Sequence, residues 1–118
     1  PWQGVLDGGG VLVFGSDWPI VPCDPRRAVR HAVTRTPWAE GMANQGVGLD
    51  EALAAYAQAP AKTDYSAAVK GRIAPGMLAD MVLLDGAAAD LADADAPLPD
   101  VRMTICDGRV THEREQRA

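Results

Sequence analysis

A carboxylate follows a buried-looking apolar run in the stretch "VLVFGSDWP", residues 11 to 19. Val11 to Phe14 read as a strand, which stops at Gly15 and Ser16 and presents Asp17 just before Trp18 and Pro19. In α/β barrels and open parallel sheets, groups that do chemistry sit at the carboxyl ends of strands. Asp17 stands at such an end, where it can act as a general base or as a metal ligand. The competing use is local, since an Asp after a strand commonly takes backbone hydrogen bonds in a turn. Spacing alone favours that local use. Ser16 has neither a nucleophile-elbow pattern nor a partner His around it, and reads as a turn residue. Trp18 is placed either to line a pocket beside Asp17 or to pack under its own loop. His31 and His112 are isolated from each other and from any ligand spacing. Both read as surface or half-buried imidazoles.

The elements that must hold Asp17 follow from the periodicity. Gly8-Gly9-Gly10 reads as a flexible turn leading into the strand at 11 to 14. That strand lacks period-two alternation, as expected of a parallel strand covered on both faces. Asp24 is a plausible N-cap, with Pro25 at the first helical position. Val29, Ala32 and Val33 then recur at helical spacing, giving an amphipathic helix to about Arg35. After a polar loop, Asp50 is expected to cap a second helix. Leu49, Leu53 and Tyr56 form its apolar stripe, and Pro60 ends it.

Beyond residue 70 the character changes. Pro75-Gly76 suits the centre of a type II turn, and Met81 to Leu84 read as a strand. Residues 86 to 100 are Ala- and Asp-rich and read as an acidic linker with little to bury. Val101, Met103 and Ile105 alternate with polar residues. Asp107-Gly108 then supplies the turn of a β-hairpin whose return strand is about Arg109 to His112. We therefore expect two regions, 1–69 and 70–118.

The bulk composition excludes several classes. The chain has 118 residues, 47% hydrophobic and 23% charged, which suits a globular protein rather than a disordered one. A net charge of −5 and a sequence pI near 4.8 argue against a nucleic-acid partner, which needs a basic face. No apolar run is long enough for a membrane span. Cys23 and Cys106 lie far apart without metal spacing, and read as free thiols in a reducing cytoplasm. The text opens Pro-Trp-Gln-Gly rather than on Met, which hints at a piece of something longer.

Four motifs in order carry a family resemblance. "GVLVFGSDWPIVPCDP" resembles the eighth barrel strand of the amidohydrolase superfamily, which ends in Asp. "GRIAPGMLADMVLLD" is similar to that superfamily's C-terminal signature. The helix start Leu49 to Leu53 and the final "TICDGRVTHE" fall in the order the family requires. The likeness runs from about Leu6 to Glu113, and is nearest to the third amidohydrolase sequence family, which includes formamide-type deacylases and exoenzyme-regulator proteins.

The resemblance implies an α/β fold: the last strand and helices of a (β/α)8 barrel over 1–69, and C-terminal strands of an adjoining small β-sandwich over 70–118. It implies that Asp17 is the catalytic carboxylate, ligating or lying beside a zinc-type divalent metal. There it would take a proton from the bound water and return it to a leaving amine. It implies a small-molecule amide-type substrate, cleaved at a non-peptide C–N bond. Asp80 would belong to the small β domain, in a turn or inter-domain hydrogen bond, and Arg35 has no assigned role. The family's His-x-His pair and further histidines have no counterpart here, so this chain alone is expected to hold no metal and to be inactive. The alternative is a non-catalytic regulatory or partner-binding module. Unpaired edges at Val11 to Phe14 and at Met81 to Leu84 also lead us to expect self-association as a two-fold dimer.

Overall fold

The computed structural model describes residues 1–115 and combines four short helices with one antiparallel sheet. Helix α1 spans Trp2–Asp7, just before the expected glycine turn, in a stretch for which the sequence suggested no element. Its return is tight: the Gly10 amide donates to the Val5 carbonyl at 2.8 Å. A Cβ at Gly10 would lie 2.6 Å from Val5 Cγ1, so only glycine fits this approach.

Residues 11 to 16 run without a strand partner, which corrects the expectation of a strand buried on both faces. Leu12 and Phe14 turn inward, while Val11 and Val13 are exposed. The reason is the neighbour. Among the described residues no strand lies alongside, and the Phe14 amide donates instead to the Ala55 carbonyl of a helix at 3.0 Å.

Helix α2, Pro25–Val33, begins as the sequence suggested: the Asp24 carboxylate accepts from the Arg26 amide, and Pro25 opens the helix. It stops two residues short of Arg35, with Thr34 as its C-cap and the Thr34 hydroxyl donating to the Arg30 carbonyl. Helix α3 spans Leu49–Tyr56 and α4 spans Gln58–Thr63. Asp50 is not the cap of α3. Gly48 is, and the Glu51 carboxylate reaches back to accept its amide at 2.7 Å. Pro60 does not end a helix either; it sits in the first turn of α4, where its missing N–H leaves no bond unmade. The buried stripe is alanine, at Ala52, Ala55, Ala59 and Ala61, while Leu53 faces outward. Small side chains let the helices approach closely.

The sheet has the order β1-β2-β3, with β1 at Met81–Asp85, β2 at Asp100–Cys106 and β3 at Arg109–Glu113. Both pairings are antiparallel. Two expected turns are present. Gly76 has φ +85° and the Met77 amide closes on the Ala74 carbonyl at 3.1 Å. Asp107 and Gly108 both have positive φ, as a two-residue hairpin turn of type I′ requires.

The acidic stretch is docked rather than loose, a second correction. Ala88–Ala92 form a 3-10 turn that buries Leu91 beside Val29, Ala32, Val47 and Ala52. Leu84 and Leu98 pack against the same cluster. Arg30 holds the stretch from α2, donating to the carbonyls of Asp90 at 2.6 Å and Ala96 at 2.8 Å. Arg26 donates to the Pro99 carbonyl at 3.0 Å and faces Asp100. At the same end of the sheet Arg114 bonds both Asp85 and Asp100, a cross-strand pair of like charges that needs a cation between them. Among the described residues no helix is long and apolar enough to cross a membrane, and Cys23 and Cys106 are free and exposed.

Candidate functional site

Phe14 fixes the approach to Asp17. Its ring lies 5.1 Å from Trp2 and 5.6 Å from Tyr56, tilted to one and edge-on to the other. Together with the amide bond to Ala55, these contacts anchor the segment on α3 three residues before the carboxylate. Arg35 caps the stack, its guanidinium carbon 4.5 Å from the Trp2 ring centroid. That contact gives Arg35 a role in the structure. Burial among these groups pushes the Tyr56 phenol above its ordinary range, with the nearby Cys23 thiolate adding to the shift.

Asp17 itself is exposed and adopts a left-handed backbone conformation, φ 47°. Asp, Asn and Gly tolerate this region best. Its carbonyl accepts from the Ile20 amide at 2.9 Å, closing the turn 17–20, and the Trp18–Pro19 bond is cis. Among the described residues, no ion pair and no potential metal-ligand cluster includes its carboxylate. Trp18 is 70% exposed and Ile20 75%, so the loop projects apolar side chains rather than packing them.

The turn leads directly to α2. Asp24 accepts from the Arg26 Nε and Nη2 at 2.8 Å each, and Arg27 lies 3.6 Å away. The Arg26 hydrogen bond holds the Asp24 carboxyl below its usual range, and the same pair raises Arg26. The far end of the Asp17 loop is thereby tied to a rigid helix start.

The other sequence candidates scatter. Ser16 is half-buried and His31 and His112 are exposed. Asp80 accepts from the Asp107 amide at 2.8 Å, so it steadies the hairpin turn, as a turn hydrogen bond was expected to do. A cleft of about 190 Å³ lies between Gly10 to Leu12 and the faces of α3 and α4, rimmed by Glu51 and Lys62. Asp17 does not line it, and it is smaller than the roughly 300–1,000 Å³ of ordinary ligand sites. Sequence reasoning missed Arg26 and Arg30. The signal was their i, i+4 spacing on one face of a helix, opposite a chain segment rich in acids.

A resident metal needs three or four converging ligands. Among the described residues no three His, Cys, Asp or Glu side chains gather to supply them. Asp17 alone does not fit such an ion.

Comparison with known proteins defines the class to which this chain of mixed helix and strand belongs. The model of the amidohydrolase family matches residues 1–112, and the chain belongs to that family. It is 33% identical over 86 residues to the protein LONG AFTER FAR-RED 3 of Arabidopsis thaliana, covering 70% of this chain and 15% of that one. It is 27% identical over 118 residues to the putative amidohydrolase YtcJ of Bacillus subtilis (strain 168), covering 96% of this chain and 22% of that protein. The chain thus spans less than a quarter of the length of either relative. No solved structure gives a significant match.

Proposed function

We propose that the chain serves as the C-terminal part of an amidohydrolase of the third sequence family, acting on non-peptide C–N bonds in small amide-type substrates. The observation that carries this is the delivery of Asp17: an anchored apolar segment, a left-handed turn and a free carboxylate, inside the region the family model matches. In this reading the first region, residues 1–69, supplies the last strand and helices of a (β/α)8 barrel. The second, residues 70–118, supplies strands of the small β-sandwich.

The chemistry asked of this chain is proton transfer at Asp17. One Oδ accepts the proton of the attacking water and later returns it to the departing amine. Phe14, held by Trp2 and Tyr56, sets where that carboxylate emerges. Trp18 and Ile20 give the substrate an apolar wall. The described residues do not assemble a metal centre, so no step is assigned to one.

The test is hydrolysis of N-acyl amides, carbamates, formamides and cyclic amides by the full-length polypeptide that carries this segment. Asp17→Asn keeps the turn, because Asn also tolerates the left-handed region. It should lower kcat by about 10²–10⁴-fold with little change in KM, the usual contribution of a general base. Near-normal kcat in that variant makes Asp17 structural. Absence of hydrolysis across the panel in the wild type favours a non-catalytic module.

A further inference from the structure

The loop that carries Asp17 is closed on itself through one indole. Phe14 precedes Asp17 by three residues, and its ring lies 5.1 Å from Trp2. After Asp17 the chain passes through the turn 17–20 into α2, which Asp24 caps, and leaves that helix at Thr34. The next residue, Arg35, comes back to the same indole, its guanidinium carbon 4.5 Å from the ring centroid. The segment from 14 to 35 thus begins and ends on Trp2, with the carboxylate between.

The two partners of Phe14 are not equally held. Tyr56 belongs to α3, the helix whose Ala55 carbonyl also takes the Phe14 amide at 3.0 Å. Trp2 has less behind it. Helix α1 buries no residue, and it meets the core through Trp2 and Leu6, both half-buried. A half-buried indole is free to tilt away from its neighbour unless something lies on its face. A cation there is attracted by the ring quadrupole, and the planar guanidinium of arginine stacks on the face where an ammonium makes only a point contact.

We infer, on the reading of Asp17 as the general base, that Arg35 is a positioning residue for that base. By holding Trp2 against Phe14 it fixes the point from which the carboxylate meets the attacking water. Among the described residues no ion pair joins Arg35 to Asp17, so Arg35 acts through two rings and a short length of backbone. Proton transfer tolerates little slack at that end. Base and proton donor must come within about 2.6–3.2 Å, and a misplacement of about 1 Å costs up to roughly 10²-fold in rate. Substrate affinity does not depend on this contact, so the loss falls on kcat.

The experiment uses the full-length polypeptide and the panel substrate that it hydrolyses. Arg35→Met keeps the length of the side chain and removes its charge. It should lower kcat about 10-fold with KM unchanged, in a protein whose circular dichroism matches the wild type. Arg35→Lys, which keeps a cation over the ring, should recover part of the loss. Added to Asp17→Asn, Arg35→Met should cost nothing further, because both changes act on one base. Should Arg35→Met fail to fold, Arg35→Gln carries the same comparisons. Wild-type kcat in the neutral variant, with Asp17→Asn impaired, overturns the inference and leaves the base in place. So does a full 10-fold loss added on top of Asp17→Asn, or a lysine variant no better than the neutral one. Near-normal kcat in Asp17→Asn removes the base itself, and the role of Arg35 falls with it.

Discussion

Arg30 reaches the carbonyl of Asp90, sixty residues away along the chain, with a hydrogen bond of 2.6 Å. One guanidinium on α2 thus joins the packing of Leu91 and Leu98 in docking the acidic stretch on the core. A second bond from the same side chain, to Ala96 at 2.8 Å, makes the attachment bidentate in effect. Arg30→Ala should cost about 2 kcal/mol, since hydrogen bonds from charged donors contribute roughly 1.5–3 kcal/mol each and part of the loss is recovered by water. Arg30→Lys should recover little, because an ammonium cannot span both carbonyls. Urea unfolding measures the loss, and limited proteolysis between residues 86 and 100 should quicken in both variants.

Phe14 does for the Asp17 loop what Arg30 does for the acidic stretch. Phe14→Ala removes two aromatic contacts and the side chain that seats the segment on α3. About 2–3 kcal/mol of stability should be lost, less than for a fully buried Phe because this ring is half-buried. Near-ultraviolet circular dichroism should lose Trp2 and Tyr56 signal in the same variant. An unchanged aromatic spectrum would refute the stack.

Asp64 carries the largest acid shift. The Ser66 hydroxyl, foremost, and the Lys70 ammonium hold its carboxyl at about 2, against an ordinary 3.8. A folded value below the unfolded one means the carboxylate's contribution to stability is complete above pH 3.8 and is lost as the pH falls toward 2. The group is exposed, so the effect on overall stability is small. A carboxyl titration followed by NMR should place Asp64 well below its neighbours. Ser66→Ala should move it back toward 3.8 more than Lys70→Ala does.

Isothermal titration of the 118-residue chain with zinc should show no saturable site at micromolar concentration, because the described residues gather no ligand set. The same chain should not hydrolyse amide substrates when zinc is added. A one-to-one site abolished by Asp17→Ala would overturn both statements.

What could be read from the sequence was local. Asp24 before Pro25 sets the start of α2 with its own side chain, and Asp107-Gly108 sets its hairpin with its own backbone freedom. Neither needs information from elsewhere in the chain. The family signature around Asp17 was equally legible, because it is carried by consecutive residues. Some misses were local, such as the Gly48 cap of α3 and Pro60 inside α4; the larger ones were tertiary. Val11 to Phe14 have the composition of a buried strand, but a strand needs a neighbour, and Ala55 of a helix took the bond. Acidic composition suggested a linker, but Leu91 and Leu98 gave it something to bury and two arginines gave its carbonyls donors. Of the expected stripe Leu49, Leu53 and Tyr56, the first and last do pack on the core and only Leu53 faces outward, its place in the buried face being taken by Ala52 and Ala55.

Asp24, Arg26, Asp100, Arg114 and Asp85 form one alternating row of charges, from the first turn of α2 to the outer edge of the sheet. Each interior member serves two neighbours of opposite sign, so the row behaves as a strap buckled at Asp100. A sheet joined to helices by apolar packing alone is free to pivot a few degrees about its contact. Here the pivot would stretch the weakest link, the 3.9 Å gap between Arg26 and Asp100. Salt loosens that link first, because exposed pairs are screened within about 10 Å at 0.1 M ionic strength. The charge link from the start of α2 to the sheet is therefore the part of this attachment that ionic strength weakens, while the hydrogen bonds of Arg26 and Arg30 to backbone carbonyls remain.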